Sequence, residues 1–212
     1  DAGTLILAGD LSDNLTDNPI LKRFESLAGE NILVIAVGYP SERSAETALK
    51  NYSNVLGAQA QIFVADQSLV IPPETTGILI FGKDQSKITV TALSPLKDFW
   101  LTGKPILADN AAASIMGSFF SAHGPIPNDA EEAELATQKS FRQGKTDIQS
   151  GLALLNITLE PQMLADNRFG RWFSLAYNPP NLIAFGLNKD KAIEISKDSA
   201  SVLGSNGIFA LA

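Results

Sequence analysis

Five short apolar runs, none interrupted internally by a charged residue, most constrain what this chain can fold into. They cover residues 4–8, 31–37, 61–64, 77–81 and 104–108. A strand with one wet face alternates polar and apolar residues. A continuous apolar run is buried on both faces, and that is the habit of parallel sheets covered by helices. The intervening segments carry helix punctuation. Asp17-Asn18-Pro19 opens a helix with proline at its first position, and Gly29 closes it. Ser41 opens a second helix that runs to Gly57, and Asp84 caps a third. The predicted fold is α/β, a mostly parallel flavodoxin-like sheet with helices on both faces. Sites in such sheets lie at the carboxyl ends of the strands, here Gly9-Asp10, Gly38-Tyr39, Gly82-Lys83-Asp84-Gln85 and Asp109-Asn110.

The fifth run continues as Lys104-Pro-Ile-Leu-Ala-Asp-Asn-Ala-Ala-Ala-Ser-Ile-Met-Gly117. Strand, abrupt polar pair and alanine-rich helix start are the layout of a nucleophile elbow, which presents a serine or cysteine above a sheet. The apex here is Asn110, which has no activatable nucleophile. The pattern weakens between residues 121 and 150, which read as a surface excursion with an acidic group. Strands follow at 156–160, 181–185, 191–195 and 207–211, with a helix over 166–177, giving a tail that is more antiparallel than the front and ends in a hairpin. The 212 residues read as one domain; the opening Asp1-Ala2-Gly3, without an initiator methionine, suggests an excised piece of a longer chain.

Composition removes several functions. The net charge of −7 leaves no basic footprint for nucleic acid, and the absence of cysteine removes disulfides, thiolate metal sites and thiol nucleophiles. No apolar run approaches the roughly 18 residues of a membrane span. No cofactor is expected, and the sequence leaves the compartment open. Three glycosylation sequons, at Asn14, Asn51 and Asn156, are short enough to arise by chance.

Several segments together resemble a known family. Gly3-Thr-Leu-Ile-Leu-Ala-Gly9, Arg23-Phe-Glu-Ser-Leu-Ala-Gly29, Gly77-Ile-Leu-Ile-Phe-Gly-Lys-Asp-Gln85, the elbow and Gly151-Leu-Ala-Leu-Leu155 occur in the order seen in cyanophycinases. These belong with the dipeptidase E-like serine peptidases, on the class I glutamine amidotransferase-like fold. The resemblance implies a serine nucleophile, a histidine base and an acidic residue that orients it. It places them at Asn110, at Met163 in Pro161-Gln-Met-Leu164, and at Lys189 in Asn188-Lys-Asp-Lys-Ala192. All three positions have lost the required chemistry. Lys83 stands where the family's oxyanion-hole glycine is expected. Asp10, Lys83, Asp84, Gln85, Ala111 and Gln162 form the expected residual pocket. The resemblance also implies a homodimer, and a protein or a small anionic or peptide ligand as partner.

The reading that follows is a catalytically inactive peptidase-fold domain with a binding, scaffold or assembly role. The alternative is an active peptidase or amide hydrolase using relocated residues. Ser114 and the one histidine, His123, read as structural and solvated. Asp10, Asp84 and Asp109 offer oxygen ligands for a hard cation, but helix caps account better for Asp84 and Asp109, and no metal is expected. Phe169, Trp172, Phe173 and Tyr177 have helical spacing and read as core or interface. Lys83, Lys87, Lys189 and Lys191 read as surface charge, with a cationic pocket as the alternative.

Overall fold

The computed structural model describes residues 1–62, 67–204 and 207–212. Strand β1 (Leu5–Ala8) leads into helix α1 (Pro19–Ala28), then β2 (Ile32–Val37), α2 (Glu42–Leu56), β3 (Gln59–Ile62) and β4 (Gly77–Gly82). Two short 3₁₀ turns and α3 (Pro95–Leu101) precede β5 (Ile106–Asn110), α4 (Ala111–Ser114) and β6 (Phe119–Ser121). The rest comprises α5 (Ala130–Ser140), β7 (Ile148–Ser150), β8 (Thr158–Glu160), α6 (Phe169–Ala176), β9 (Ala184–Gly186), β10 (Ala192–Ser196), β11 (Ser199–Leu203) and β12 (Phe209–Leu211). Phe63 and Val64, expected in the third strand, lie outside the described residues.

The main sheet has the order β11-β10-β1-β5-β4-β2-β3. Its strands β1, β5, β4, β2 and β3 are parallel, while β10 and β11 form an antiparallel hairpin on the β1 edge. The apolar runs of β1, β2, β4 and β5 are buried on both faces, as their continuity requires. One face, carrying Leu5, Leu7, Ile35, Ile80 and Ala108, packs against Leu96 and Phe99 of α3 and Ala112 of α4. The other, carrying Ile6, Val34, Leu79 and Leu107, packs against Phe24 of α1 and Leu49 and Tyr52 of α2. The caps follow the sequence. Asn18 Oδ1 accepts from Ile20 and Leu21 N–H, Ser41 accepts from Ser44 N–H, and Gly57 ends α2 in the left-handed region.

The C-terminal half departs from expectation in how its strands are shared out. A second sheet, β12-β9-β8-β6-β7, takes the strands expected at 181–185 and 207–211. The hairpin is instead β10–β11, and β11 reads Ser-Ala-Ser-Val-Leu, too polar on an open edge to signal a strand. The excursion at 121–150 holds an eleven-residue helix, α5, with no buried residue, capped by Asp129, and the edge strand β7. Helix α4 is four residues long, so the alanine run gives one turn and not a long helix. Among the described residues, no helix is long and apolar enough to cross a membrane.

Candidate functional site

The carboxyl ends of β1, β2, β4 and β5 open into one cavity of about 710 Å³. Its floor is the elbow. Asn110 has φ 54° and ψ −126°, far from the β and right-handed regions that non-glycine residues favour. It is held there by the packing on either side. Asp109 and Ala111 are fully buried, and a Cβ on Gly82 would stand 3.1 Å from Ala111 Cβ. Asn110 itself is 8% exposed and lines the cavity, and its Oδ1 has no hydrogen-bond partner.

Asp109 has a different job from the helix cap expected of it. Both of its carboxylate oxygens accept from Leu11 N–H at 3.1 Å, and Oδ2 accepts from Tyr52 Oη at 2.6 Å. It therefore ties the ends of β1 and β5 to helix α2. Burial and the neighbouring Asp10 carboxylate push its pKa up to about 7, against the pull of the Tyr52, Leu11 and Asn110 donors. Burial and the same two acids raise both Tyr52 and Tyr39, so both phenols stay neutral. Asp10 Oδ1 accepts from Ser12 N–H and Oγ, while Oδ2 has Lys189 Nζ at 3.9 Å.

The near wall is the face of α2 that points to the sheet's carboxyl edge. Ser44, Thr47, Ala48 and Asn51 lie there, with Tyr52 behind them. Tyr52 stacks on Phe81, with ring centroids 4.1 Å apart, and Tyr39 meets Phe81 edge-on. None of the α2 residues was expected from the sequence. Their spacing, i, i+3, i+4 and i+7, was a visible signal of one helix face. The exposed cations Arg43 and Lys83 lie at the rim.

Gln162 and Asp166 complete the far wall. Gln162 has φ 55°, a second strained non-glycine residue at the cavity. Asp166 Oδ2 accepts from Arg168 Nε and Nη2 at 3.0 and 2.6 Å. Behind it lies a buried polar network that sequence reasoning missed. Arg168, 1% exposed, also donates to Gln85 Oε1 and Glu160 Oε1, and Ser121 Oγ donates to Glu160 Oε2. Gln85 Nε2 donates back to the Ser121 carbonyl and Oγ.

Of the expected residual pocket, Asp10, Lys83 and Gln162 line the cavity. The other three are placed elsewhere. Gln85 is buried in the Arg168 network, Asp84 caps a 3₁₀ turn through Ser86 N–H, and Ala111 is packed beneath the sheet. Met163 does not face Asn110. It is fully buried with Trp172, Leu175 and Ala184, and Gly186 makes room for it: a Cβ there would stand 2.8 Å from Met163 Cγ. Lys189 does not line the cavity and is bonded to Asp13 at 2.6 Å.

The lysines do not assemble a pocket. Lys83 is at this cavity, whereas Lys189 and Lys191 border another. Because Asp84 lies off the cavity, the three aspartates considered for a cation do not converge. Among the described residues no group of three or more potential ligands is placed to hold a metal. Ser114 Oγ donates to the Ala111 carbonyl and is buried. His123, half-buried and not free in solvent as expected, accepts from Asp147 N–H through Nε2 at 2.8 Å; burial, then Arg171, lowers its pKa. The aromatic group divides: Trp172 is core, whereas Phe173 and Tyr177 are exposed.

Comparison with known proteins agrees with this architecture. No protein-family model matches the chain, and no curated protein matches its sequence. A solved structure does: the crystal structure of a "Putative Peptidase E Protein" from Listeria monocytogenes EGD-e superimposes with a TM-score of 0.60. The alignment covers 96% of this chain and 98% of that one, at 14% sequence identity. The chain shares the peptidase E-like fold. At that identity the likeness concerns the backbone and carries no activity with it.

Proposed function

We propose that this is a catalytically inactive domain of serine-peptidase fold that binds a ligand in the elbow cavity and does not cleave it. The observation that carries this reading is the apex. The strained elbow conformation, which in a peptidase would lift a nucleophile into the cavity, is spent on Asn110. A carboxamide at that point cannot be activated for acyl transfer. Nor is a histidine base at hand: the one histidine spends Nε2 on Asp147 N–H and does not line the cavity. The cavity hydroxyls of Ser12, Ser41 and Ser44 bond to a carboxylate or to one another, with no histidine or lysine bridging them.

The Gln162 backbone supports the same reading. It borders the same cavity as Asn110, while Met163 is turned into the core. A glutamine side chain can orient a ligand by hydrogen bonds and cannot take a proton at neutral pH. The test is labelling of the purified protein with a fluorophosphonate, followed by mass spectrometry of the intact chain. No adduct is expected. An adduct on any serine, or hydrolysis of a dipeptide library that disappears in the Asn110→Ala variant, overturns the proposal.

A further inference from the structure

The polar groups of the cavity are unevenly satisfied, and the imbalance has a direction. At the floor the unspent groups are acceptors. Asn110 Oδ1 is buried without a partner, and Asp10 Oδ2 carries an ion pair with Lys189 at 3.9 Å, too long for a hydrogen bond. Tyr39, Tyr52 and Phe81 bring ring surfaces to the same end. Buried acceptors, a carboxylate and aromatic rings together suit an organic cation. At the rim the unspent groups are cations. Arg43 and Lys83 are exposed, and no ion pair is formed by either among the described residues.

We propose that the cavity binds a small zwitterion, with its primary ammonium at the floor against Asp10 and Asn110 and its acid group at the rim between Arg43 and Lys83. The inference rests on the binding reading above and names the ligand class for that site. A neutral polyol leaves the Arg43 and Lys83 charges unused. A plain anion places its charge beside Asp10 and Asp109 if it goes deep, and leaves Asn110 Oδ1 unpaired if it stays at the rim. The bipolar ligand satisfies both ends. A turn of the Asn110 carboxamide toward the ammonium exchanges an unmade hydrogen bond for a made one.

Proton linkage gives a second signature. Asp109 faces Asp10 after β1, Tyr39 after β2, Tyr52 on α2 and, at the rim, Lys83 after β4. Both phenols stay neutral, so the acids are the groups that respond to an added cation. An ammonium at the floor favours the ionised form of Asp109, so binding releases a proton and tightens as the pH rises through neutrality.

The experiment is isothermal titration of the intact chain with β-alanine, γ-aminobutyrate, ε-aminocaproate and O-phosphoethanolamine. The N-acetyl and primary-amide derivatives of the three amino acids serve as controls. At least one zwitterion is expected to bind, with roughly tenfold or greater loss on removing either charge. Arg43→Ala combined with Lys83→Ala, both exposed and thus safe for folding, is expected to cost about tenfold or more with an unchanged melting temperature. The phosphate and carboxylate arms distinguish the acid group. Absence of binding by every zwitterion at about 10 mM, or N-acetyl derivatives that bind equally well, overturns the inference. Those results leave the fluorophosphonate outcome untouched, so the ligand class and the loss of catalysis fail separately.

Discussion

Asp109 makes stability depend on pH in an unusual direction. Its folded pKa is about 7, raised from an ordinary 3.8 by burial and by Asp10. Between those values the folded chain holds a proton that the unfolded chain has released. A raised carboxyl pKa therefore contributes stability that is complete below the unfolded value and is lost as the pH rises through the folded one. The full span is worth roughly 4 kcal/mol at about 1.4 kcal/mol per unit, and roughly 2.5 kcal/mol of it falls between about pH 5 and about pH 8. For a chain of this length that is a fall in melting temperature of about 5–10 °C. The comparison is Asp109→Asn, which keeps one oxygen acceptor for Leu11 N–H or Tyr52 Oη and cannot titrate. His123 is present in both proteins. Its pKa is lowered, so its contribution rises with pH and cancels in the comparison. Urea unfolding of both proteins across that range measures the difference. Wild type should lose stability relative to the variant as the pH rises. Parallel pH profiles would refute the claim that Asp109 is held protonated by its surroundings.

Other perturbations have equally definite outcomes. Asn110→Gly removes a strained φ and an unpaired buried oxygen, and is expected to stabilise the chain by about 1–2 kcal/mol after the entropy cost of glycine, read as a raised urea midpoint. Arg168→Leu strips the fully buried Glu160 of its closest cation and should cost about 3–5 kcal/mol by the same assay. Gly186→Ala drives a Cβ into Met163, and is expected to cost about 1–3 kcal/mol, with the Gly186→Ala, Met163→Ala double variant costing less than the sum of the two single changes. Asn110→Ser combined with Gln162→His is expected to acquire fluorophosphonate labelling at residue 110, whereas Asn110→Ser with Met163→His is not; mass spectrometry of the adduct decides between them.

The front half of the chain was legible because its signals are local. Continuous apolar runs, Asn18 before Pro19, Ser41 as a cap and Gly57 as a stop each fix their own element, and the structure follows them to within a few residues. The elbow was legible for the same reason, since small residues around a polar pair are a steric requirement of that turn. What stayed hidden depends on partners distant in sequence. The second sheet pairs β6, β8 and β9 through three-residue strands too short to announce a period. The role of Asp109 depends on Tyr52, which is 57 positions away, and Gln85 left the pocket wall because Arg168, 83 positions away, bonds to it. An aspartate before a helix looks like a cap whether or not a tyrosine from another helix has claimed it.

The same contrast explains why Gln162 lines the cavity and Met163, expected there from the sequence, does not. The two are adjacent, and in an extended strand neighbours point to opposite sides. Here the chain has just left β8 and bends with a positive φ at Gln162, so that Gln162 borders the cavity while Met163 drops into the core beneath α6. Strain of this kind costs of order 1–3 kcal/mol and persists only where the surroundings over-determine it. The cavity carries it at two non-glycine positions, Asn110 at the floor and Gln162 on the far wall. Neither side chain can attack a carbonyl or shuttle a proton, yet both are presented to the same space. Positive φ at non-glycine residues also occurs away from the cavity, at Asp17, Ala153, Asn167 and Asp190, so what sets Asn110 and Gln162 apart is that both border one cavity. On the binding reading proposed above, a ligand in the cavity meets those two amides, and neither of them can take part in acyl transfer.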